Sequence, residues 1–158
     1  MALKIKKLYA HKGNYKPGGN SCKYIVVHNT GNTASAKAEA AYAHNDQHKS
    51  SFHYVLDGKD VYQCVKDKDT AWAVGAWKGA KAIVKNNQSI SIEVCSNGKK
   101  FSAKEIAQLK ALIAKLRKAH NIPASRVIRH YDCHTGRKAC PAYYVKAARW
   151  KKLKEQIV

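Results

Sequence analysis

Strand-like and helix-like segments alternate along this chain of 158 residues, and that order limits the folds open to it. The apolar run 23–28 and the alternating segment 89–95 are typical of strands, whereas segment 34–46 is alanine-rich, lacks Gly and Pro, and is typical of a helix. Segments 52–56 and 61–65 flank Asp57-Gly58 and predict a hairpin. This interleaving predicts an α/β fold, with a mixed central β-sheet flanked by helices.

The second half of the chain carries clear helix boundaries. Ser102 and Glu105 form a capping box that opens a helix, whose predicted core face is Ile106, Leu109, Ile113 and Leu116. Pro123 should end that helix near His120. We expect a short strand at 127–129, a final basic helix from about residue 143, and loops at 10–22 and 72–79.

The length suits one domain with one core, spanning residues 1–158. No apolar run is long enough to cross a membrane. The basic N-terminus has no apolar stretch after it, so it does not read as a secretory signal. We therefore expect a protein made in the cytoplasm without a signal peptide, and we expect a monomer.

The charge balance is strongly basic, with 30 Lys and Arg against 10 Asp and Glu and a formal net charge of +20. Such a field attracts polyanions and is weakened by salt. Anionic wall polymers, an anionic membrane surface and nucleic acid are the candidate partners. The basic residues are spread along the chain, and no nucleic-acid-binding motif or basic patch interleaved with aromatics is present. We therefore expect no nucleic-acid partner.

The five cysteines form an odd count, which together with the missing signal argues for reduced thiols. Cys64 and Cys95 lie in strand-like runs and are expected to be buried as small apolar residues. Cys22 and Cys133 receive no role from the sequence. Cys140 differs from these four cysteines because it is a candidate metal ligand.

Cys140 lies in the turn-rich segment 129–141, together with His130 and Lys138. Upstream, the apolar run 24–27 ends in His28, just before a turn. Histidine and cysteine are ligands that zinc prefers, and three protein ligands leave a fourth position for water. The spacing alone leaves the alternative of unconnected side chains open, because there is neither a paired CxxC nor an HExxH motif.

The order of the motifs carries a more specific indication. VVHNT is followed by SSFHYVLDG, a Trp-Ala-x-Gly stretch, SISIEVC and finally RHYDCHTGRKACP. Over residues 20–145 this series resembles the zinc-dependent N-acetylmuramoyl-L-alanine amidases, the family of phage lysis amidases and peptidoglycan recognition proteins. The resemblance implies the α/β fold of that family and a zinc ion held by His28, His130 and Cys140. It also implies hydrolysis of the amide between N-acetylmuramic acid and L-alanine in bacterial peptidoglycan.

Two further residues are candidates for catalysis. Glu93 is the only acidic residue of its predicted strand and lies on the face opposite Ile90, Ile92 and Val94. The resemblance places the glutamate of such a run near the metal, where it could act as a general base; the alternative is an ordinary surface glutamate. Lys138 matches a family lysine that would stabilise negative charge on the carbonyl oxygen; the alternative is an ordinary solvated lysine.

Asn29, Thr30, Phe52 and Trp72 are the candidate substrate contacts, although Trp72 could equally be a core residue. Two positions depart from the family pattern. Some members have a tyrosine where Phe52 falls, and many phage members have a histidine where this chain has Ala73. The first difference leaves more of the chemistry to Glu93 and Lys138, and the second removes a family substrate contact.

The sequence does not assign a role to the remaining histidines. His44 and His48 are spaced i, i+4 on the first predicted helix, a geometry compatible with zinc, but without an obvious third ligand. His53 could line the cleft or lie beneath it, and His134 could compete for the metal.

The resemblance implies a phage-lysin-like protein that reaches the wall through a phage pore or from outside the cell. A non-catalytic peptidoglycan-binding module on the same fold, and a basic nucleic-acid-binding protein, are the alternatives from other classes. A missing cysteine ligand would favour the binding module, and Cys140 is present.

Overall fold

The computed structural model describes residues 2–158. Within that range the α-helices are α1 (Ala36–Asn45), α2 (Ala103–His120) and α3 (Ala147–Ile157). The strands are β1 (Lys6–Lys7), β2 (Tyr15–Gly19), β3 (Tyr24–Asn29), β4 (Tyr54–Leu56), β5 (Val61–Gln63), β6 (Asp69–Ala71), β7 (Ser89–Val94) and β8 (Val127–Arg129). The predicted α/β fold with a mixed sheet is confirmed.

The main sheet has six strands in the order β1-β5-β4-β7-β3-β8. Its pairs are parallel except the β4–β5 hairpin, which the sequence predicted from Asp57-Gly58. Strands β3, β7 and β8 lie side by side, so their carboxyl ends meet at one edge. Ligands of open α/β sheets bind at such an edge, and His28, Glu93 and His130 all lie there.

One face of the sheet is covered by α2 and α3 and contains the largest apolar core. Ile25 and Val27 of β3 and Ile90 and Ile92 of β7 point to this face and are fully buried. Helix α2 begins at the predicted capping box, where Ser102 Oγ accepts from Glu105 N. It ends at His120, and the next residue, Asn121, adopts a left-handed conformation with φ 54°. The buried apolar residues of α2 are Leu109, Leu112, Ile113 and Leu116. Ile106, which was predicted to lie on the core face, is only partly buried.

The opposite face is covered by α1 and by loops. Ala36 and Ala40 of α1 are fully buried against Val55, Tyr62 and Cys64, because small side chains let the helix approach the sheet closely. Alternation along β3 and β7 places His28, Ser91 and Glu93 on this face, away from α2. The functional side chains are therefore on the side of the sheet that α1 covers only in part.

Two secondary-structure elements differ from the sequence predictions. The predicted loop 10–22 contains strand β2, which forms an irregular antiparallel ribbon with β6. The predicted helix from about residue 143 begins only at Ala147. Arg129 Nη1 donates to the carbonyl oxygens of Tyr144 and Val145 at 3.0 and 2.9 Å, and residues Ala142–Tyr144 form a 3-10 turn instead.

Over residues 2–158, none of the helices combines the length and the apolar character needed to cross a lipid bilayer.

Candidate metal centre

His28 is fixed at the end of β3 by its neighbour on β7. The parallel register places His28 opposite Glu93. Nε2 of His28 lies 3.0 Å from Ser91 Oγ, and this hydrogen bond leaves Nδ1 available on the other side of the ring. That Nδ1 atom is 3.7 Å from Glu93 Oε1. Register and side-chain alternation together hold the imidazole and the carboxylate side by side.

His130 follows β8 in a one-turn 3-10 segment, His130–Asp132. Arg129 holds this segment with a two-pronged ion pair, in which Nε donates to Asp132 Oδ2 at 2.9 Å and Nη2 donates to Asp132 Oδ1 at 2.8 Å. Tyr131 N donates to the carbonyl oxygen of Cys140 at 2.8 Å. The segment 131–140 is therefore closed into a loop, which brings Cys140 back beside His130.

His28, His130 and Cys140 each offer a ligand atom, and these atoms lie within 4.8 Å of one another. All three residues are buried, and Nε2 of His130 has no hydrogen-bond partner among residues 2–158. Burial, with a contribution from Lys138, lowers the pKa of His130 to about 4, and burial holds the pKa of His28 well below its usual value. Both imidazoles are therefore neutral near pH 7, the state that binds a metal.

Burial raises the pKa of the Cys140 thiol to about 12. A thiolate at this position needs a cation beside it, and coordination to a metal deprotonates such a thiol. Two neutral imidazoles and one buried sulfur, with an orphaned ring nitrogen, suit a zinc ion in a site with one open position. The side chains present fit that metal.

A cleft of about 510 Å³ opens onto these three residues and is also lined by Glu93 and Lys138. Glu93 Oε2 is buried without a hydrogen-bond partner among the described residues. Burial first, and then the charge of Glu39, raises the pKa of the Glu93 carboxyl to about 8, against the opposing effect of Lys138. Lys138 is exposed at the rim of the cleft. A carboxyl group and an ammonium group thus face the same space as the three possible ligands.

The candidate substrate contacts do not all reach this cleft. Asn29 and Phe52 line it, as does Ala73, the position where many phage members carry a histidine. Thr30 lines an adjoining pocket. Trp72 lines a different pocket, together with residues of β2 and the segment 85–87. The structure therefore does not bring Trp72 together with the other three candidate substrate contacts.

The other histidines have separate environments. His44 is exposed on α1, and His48 lies beyond the end of that helix, so the predicted i, i+4 helical pair is wrong. His53 is buried just before β4, where its ring nitrogens face Ser91 N and the carbonyl oxygen of Asp69. His134 is fully buried, contacts the rings of Trp77 and His130, and is not part of the ligand cluster.

Three supporting residues were missed by sequence reasoning. Ser91 orients His28, and its position two residues before Glu93 on an alternating strand was a usable signal. Arg129 and Asp132 hold the ligand loop, but nothing in their spacing distinguishes them from other charged neighbours. Their role depends on the path of the chain after β8.

Comparison with known proteins gives a consistent result. A family model described as N-acetylmuramoyl-L-alanine amidase matches residues 18–143. N-acetylmuramoyl-L-alanine amidase CwlA of Bacillus subtilis (strain 168) is 32% identical over 163 residues, covering 99% of this chain and 58% of that protein. XlyB of the same organism is 31% identical, covering 99% of this chain and 50% of its own length. The chain thus spans about half the length of these relatives.

Solved structures agree with this result along the whole chain. The catalytic domain of XlyA superimposes with a TM-score of 0.83 at 32% identity, covering 99% of this chain and 100% of that one. A mutant endolysin from Bacillus subtilis gives a TM-score of 0.82 at 33% identity, with both chains fully covered. The resemblance in the motif series is therefore confirmed, and the chain belongs to the N-acetylmuramoyl-L-alanine amidase family.

Proposed function

We propose that residues 1–158 form a zinc-dependent amidase domain, which hydrolyses the amide between N-acetylmuramic acid and L-alanine in bacterial peptidoglycan. The observation that carries this proposal is the buried cluster of His28, His130 and Cys140 at the base of a cleft that Glu93 and Lys138 also line. Family membership supports the identity of the bond that is cleaved. The residue cluster supports zinc-dependent hydrolysis as the way in which it is cleaved.

When bound, zinc supplies a Lewis acid that polarises a carbonyl and lowers the pKa of a coordinated water to about 7. The protein's own groups supply the rest. Ser91 Oγ holds Nε2 of the His28 ring and so orients Nδ1 toward Glu93, and Arg129 with Asp132 positions the loop that bears His130 and Cys140. Each ligand is thus fixed before substrate arrives.

Once ionised, Glu93 can accept a proton from the attacking water at its unpaired Oε2 atom, and a cation held by the three ligands would favour that ionised form against burial, which raises its pKa. It can return that proton to the leaving amine nitrogen. The Lys138 ammonium, at the rim of the cleft, stabilises the negative charge that develops on the carbonyl oxygen. Phe52 lines the cleft without a hydroxyl, so it bounds the substrate space but cannot donate a hydrogen bond.

The net charge of +20 supports attraction of the protein to anionic wall polymers or to an anionic membrane surface, in addition to its substrate. We propose that this charge holds the domain on the bacterial wall, reached through a phage pore or from outside the cell.

Bulk zinc analysis, loss of wall turbidity and chemical detection of newly released L-alanine amino groups test the proposal together. We expect about one zinc per chain and lysis that stops with a chelator and returns with zinc, because the three ligands leave one coordination position for chemistry. Zinc binding without release of amino groups would favour the non-catalytic binding module. Salt-dependent retention on DNA without any wall hydrolysis would favour the nucleic-acid binder.

A further inference from the structure

A second pocket of about 260 Å³ adjoins the metal cleft and has Asn29, Phe52 and Glu93 as common walls. Its far side is formed by Glu39 and Tyr42 of helix α1, and we call it the α1 pocket. The shared walls mean that a substrate held in the cleft can extend into this pocket. The residues on the far side of the pocket have no role in the proposed hydrolysis.

Glu39 gives the α1 pocket a negative charge in a strongly basic protein. The side chain is half-buried, and Oε1 accepts a hydrogen bond from Asn32 Nδ2 at 2.7 Å. Within residues 2–158, Glu39 forms no ion pair with a Lys, Arg or His. The carboxylate is therefore free to bind a cation from a ligand.

An aromatic platform stands beside this carboxylate. Tyr42 follows Glu39 by three residues on α1, which places both on one face of the helix. The Tyr42 ring is stacked on His48, with centroids 3.7 Å apart and planes 8° apart, yet Tyr42 remains 60% exposed. No Lys or Arg of residues 2–158 lies over the Tyr42 ring. A fixed aromatic ring next to a carboxylate is a favourable environment for an ammonium group.

Thr30 supplies an independent indication that the pocket binds a ligand. This residue lines the pocket and is only 7% exposed. Its hydroxyl oxygen, Oγ1, is buried without a hydrogen-bond partner among the described residues. A buried hydroxyl without a partner is costly, and a bound N–H donor would remove that cost.

We propose that the α1 pocket binds an ammonium group on the peptide part of the substrate, with Glu39 as the counter-charge, Tyr42 as the aromatic wall and Thr30 as a hydrogen-bond acceptor. This inference rests on the proposed amidase function. The sugar part of the substrate carries its amine as an acetamide, so a cation must come from the peptide. Glu39 is thus a residue that selects substrates rather than one that breaks the bond.

The competing explanation is that Glu39 only ties the loop at Asn32 to α1. Glu39→Gln separates the two explanations, because glutamine keeps an oxygen that can accept from Asn32 Nδ2 but loses the charge. The substrates are a muramoyl tripeptide of L-alanine, D-glutamate and L-lysine, and the same compound acetylated on the lysine ε-amine. We expect the parent protein to prefer the free amine on the order of tenfold in kcat/KM, mostly through KM.

Glu39→Gln should lose the preference for the free amine, whereas any change that acts through Glu93, whose pKa Glu39 raises, should affect both substrates alike. Tyr42→Ala should reduce the preference about threefold. Thr30→Val, which removes the hydroxyl at nearly constant volume, should weaken the free-amine substrate while keeping the fold. Glu155→Gln, an exposed charge on α3, is the matched control and should change neither substrate.

A Glu39→Gln protein that keeps the parent's preference for the free amine would overturn the proposal, because any loss of activity would then act only through Glu93 or the loop. Equal turnover of both compounds by the parent would overturn it as well. If the parent cleaves neither compound, the amidase proposal fails, and calorimetric binding of the two compounds decides the pocket separately. Tighter binding of the free amine that Glu39→Gln abolishes then supports the pocket, and equal affinities reject it.

Discussion

The two faces of the central sheet are built on opposite principles. Toward α2 and α3, the side chains of β3 and β7 are apolar and fully buried, as Ile25 and Ile92 show. Toward the cleft, the same two strands carry His28, Ser91 and Glu93. Unpaired polar atoms are concentrated on this second face, where Glu93 Oε2, His130 Nε2 and Thr30 Oγ1 are buried without partners among residues 2–158.

This contrast shows how six-residue strands serve stability and chemistry at once. Because successive side chains point to opposite faces, each strand contributes to the core and to the site without compromise between them. The apolar face stabilises the fold, so the polar face can hold buried groups that have shifted pKa values or lack a hydrogen-bond partner. Substitutions at neighbouring positions should therefore have unlike effects.

The largest effect is expected at the ligand cluster. Cys140→Ser should weaken zinc binding by about a thousandfold or more, because a serine hydroxyl is a poor replacement for a thiolate. Metal content after competition with a chelator measures this loss. Cys95→Ser, a half-buried thiol outside the cluster, should keep its zinc. Equal zinc in Cys140→Ser and the parent would remove Cys140 from the site.

On the apolar face, Ile92→Ala should lower the free energy of unfolding by about 3 to 4 kcal/mol, through lost burial and a residual cavity. Denaturant unfolding measures the change. The matched control is Ile83→Ala, whose side chain is 53% exposed and which should cost less than about 0.5 kcal/mol. A similar cost at both positions would contradict the assignment of Ile92 to the main core.

One residue further along β7, the effect should move from stability to activity. Glu93→Gln and Lys138→Ala should each lower wall hydrolysis on the order of a hundredfold, about 2.7 kcal/mol, while zinc content and unfolding stay near the parent values. Lys118→Ala, an exposed lysine on α2, serves as the control for charge. Near-normal hydrolysis in Glu93→Gln would show that no carboxylate base is needed.

His53 should make the polar face sensitive to acid. Its Nδ1 accepts from Ser91 N at 3.1 Å, and burial lowers its pKa to about 4. The unfolded chain, with an ordinary histidine pKa near 6.5, binds this proton more readily, so the stabilising effect is full above about pH 6.5 and is lost as pH falls toward 4. Between pH 7 and pH 5 the parent should lose about 2 kcal/mol that His53→Gln does not lose.

The measurement for His53 is the unfolding free energy of parent and variant at several pH values, and the result is read from their difference. His44→Gln, an exposed histidine of α1, should run parallel to the parent over the same range. Parallel curves for the parent and His53→Gln would show that the ring is not held neutral in the folded protein.

The smallest effect concerns the basic surface. Replacing Lys146, Lys151 and Lys152 with glutamate should lower lysis of intact cells severalfold, and added salt should lower the parent's lysis in the same way. Turnover of a soluble muropeptide should change far less, because hydrolysis depends on the distant cleft. Lys154 is left in place because it is half-buried. Equal losses on both substrates would contradict anchoring by charge.

Much of this architecture follows from local sequence alone. The capping box at Ser102 and the position of Pro123 set the limits of α2 at Ala103 and His120. Alternation along β7 assigns Ile92 to the core and Glu93 to the other face. These predictions succeeded because helix caps and strand alternation depend on neighbouring residues, whose influence is present in any local window.

Other features depend on residues that are distant in the chain. Strand β2 forms only because β6 supplies its partner, and α3 starts late because Arg129 binds the carbonyl oxygens of Tyr144 and Val145. The sequence by itself determined the α/β class, the strand that bears His28 and the segment that bears His130 and Cys140. Only the tertiary structure decided that their ligand atoms lie within 4.8 Å and that Trp72 lies elsewhere, because such distances are set by strand register and loop closure across more than a hundred residues.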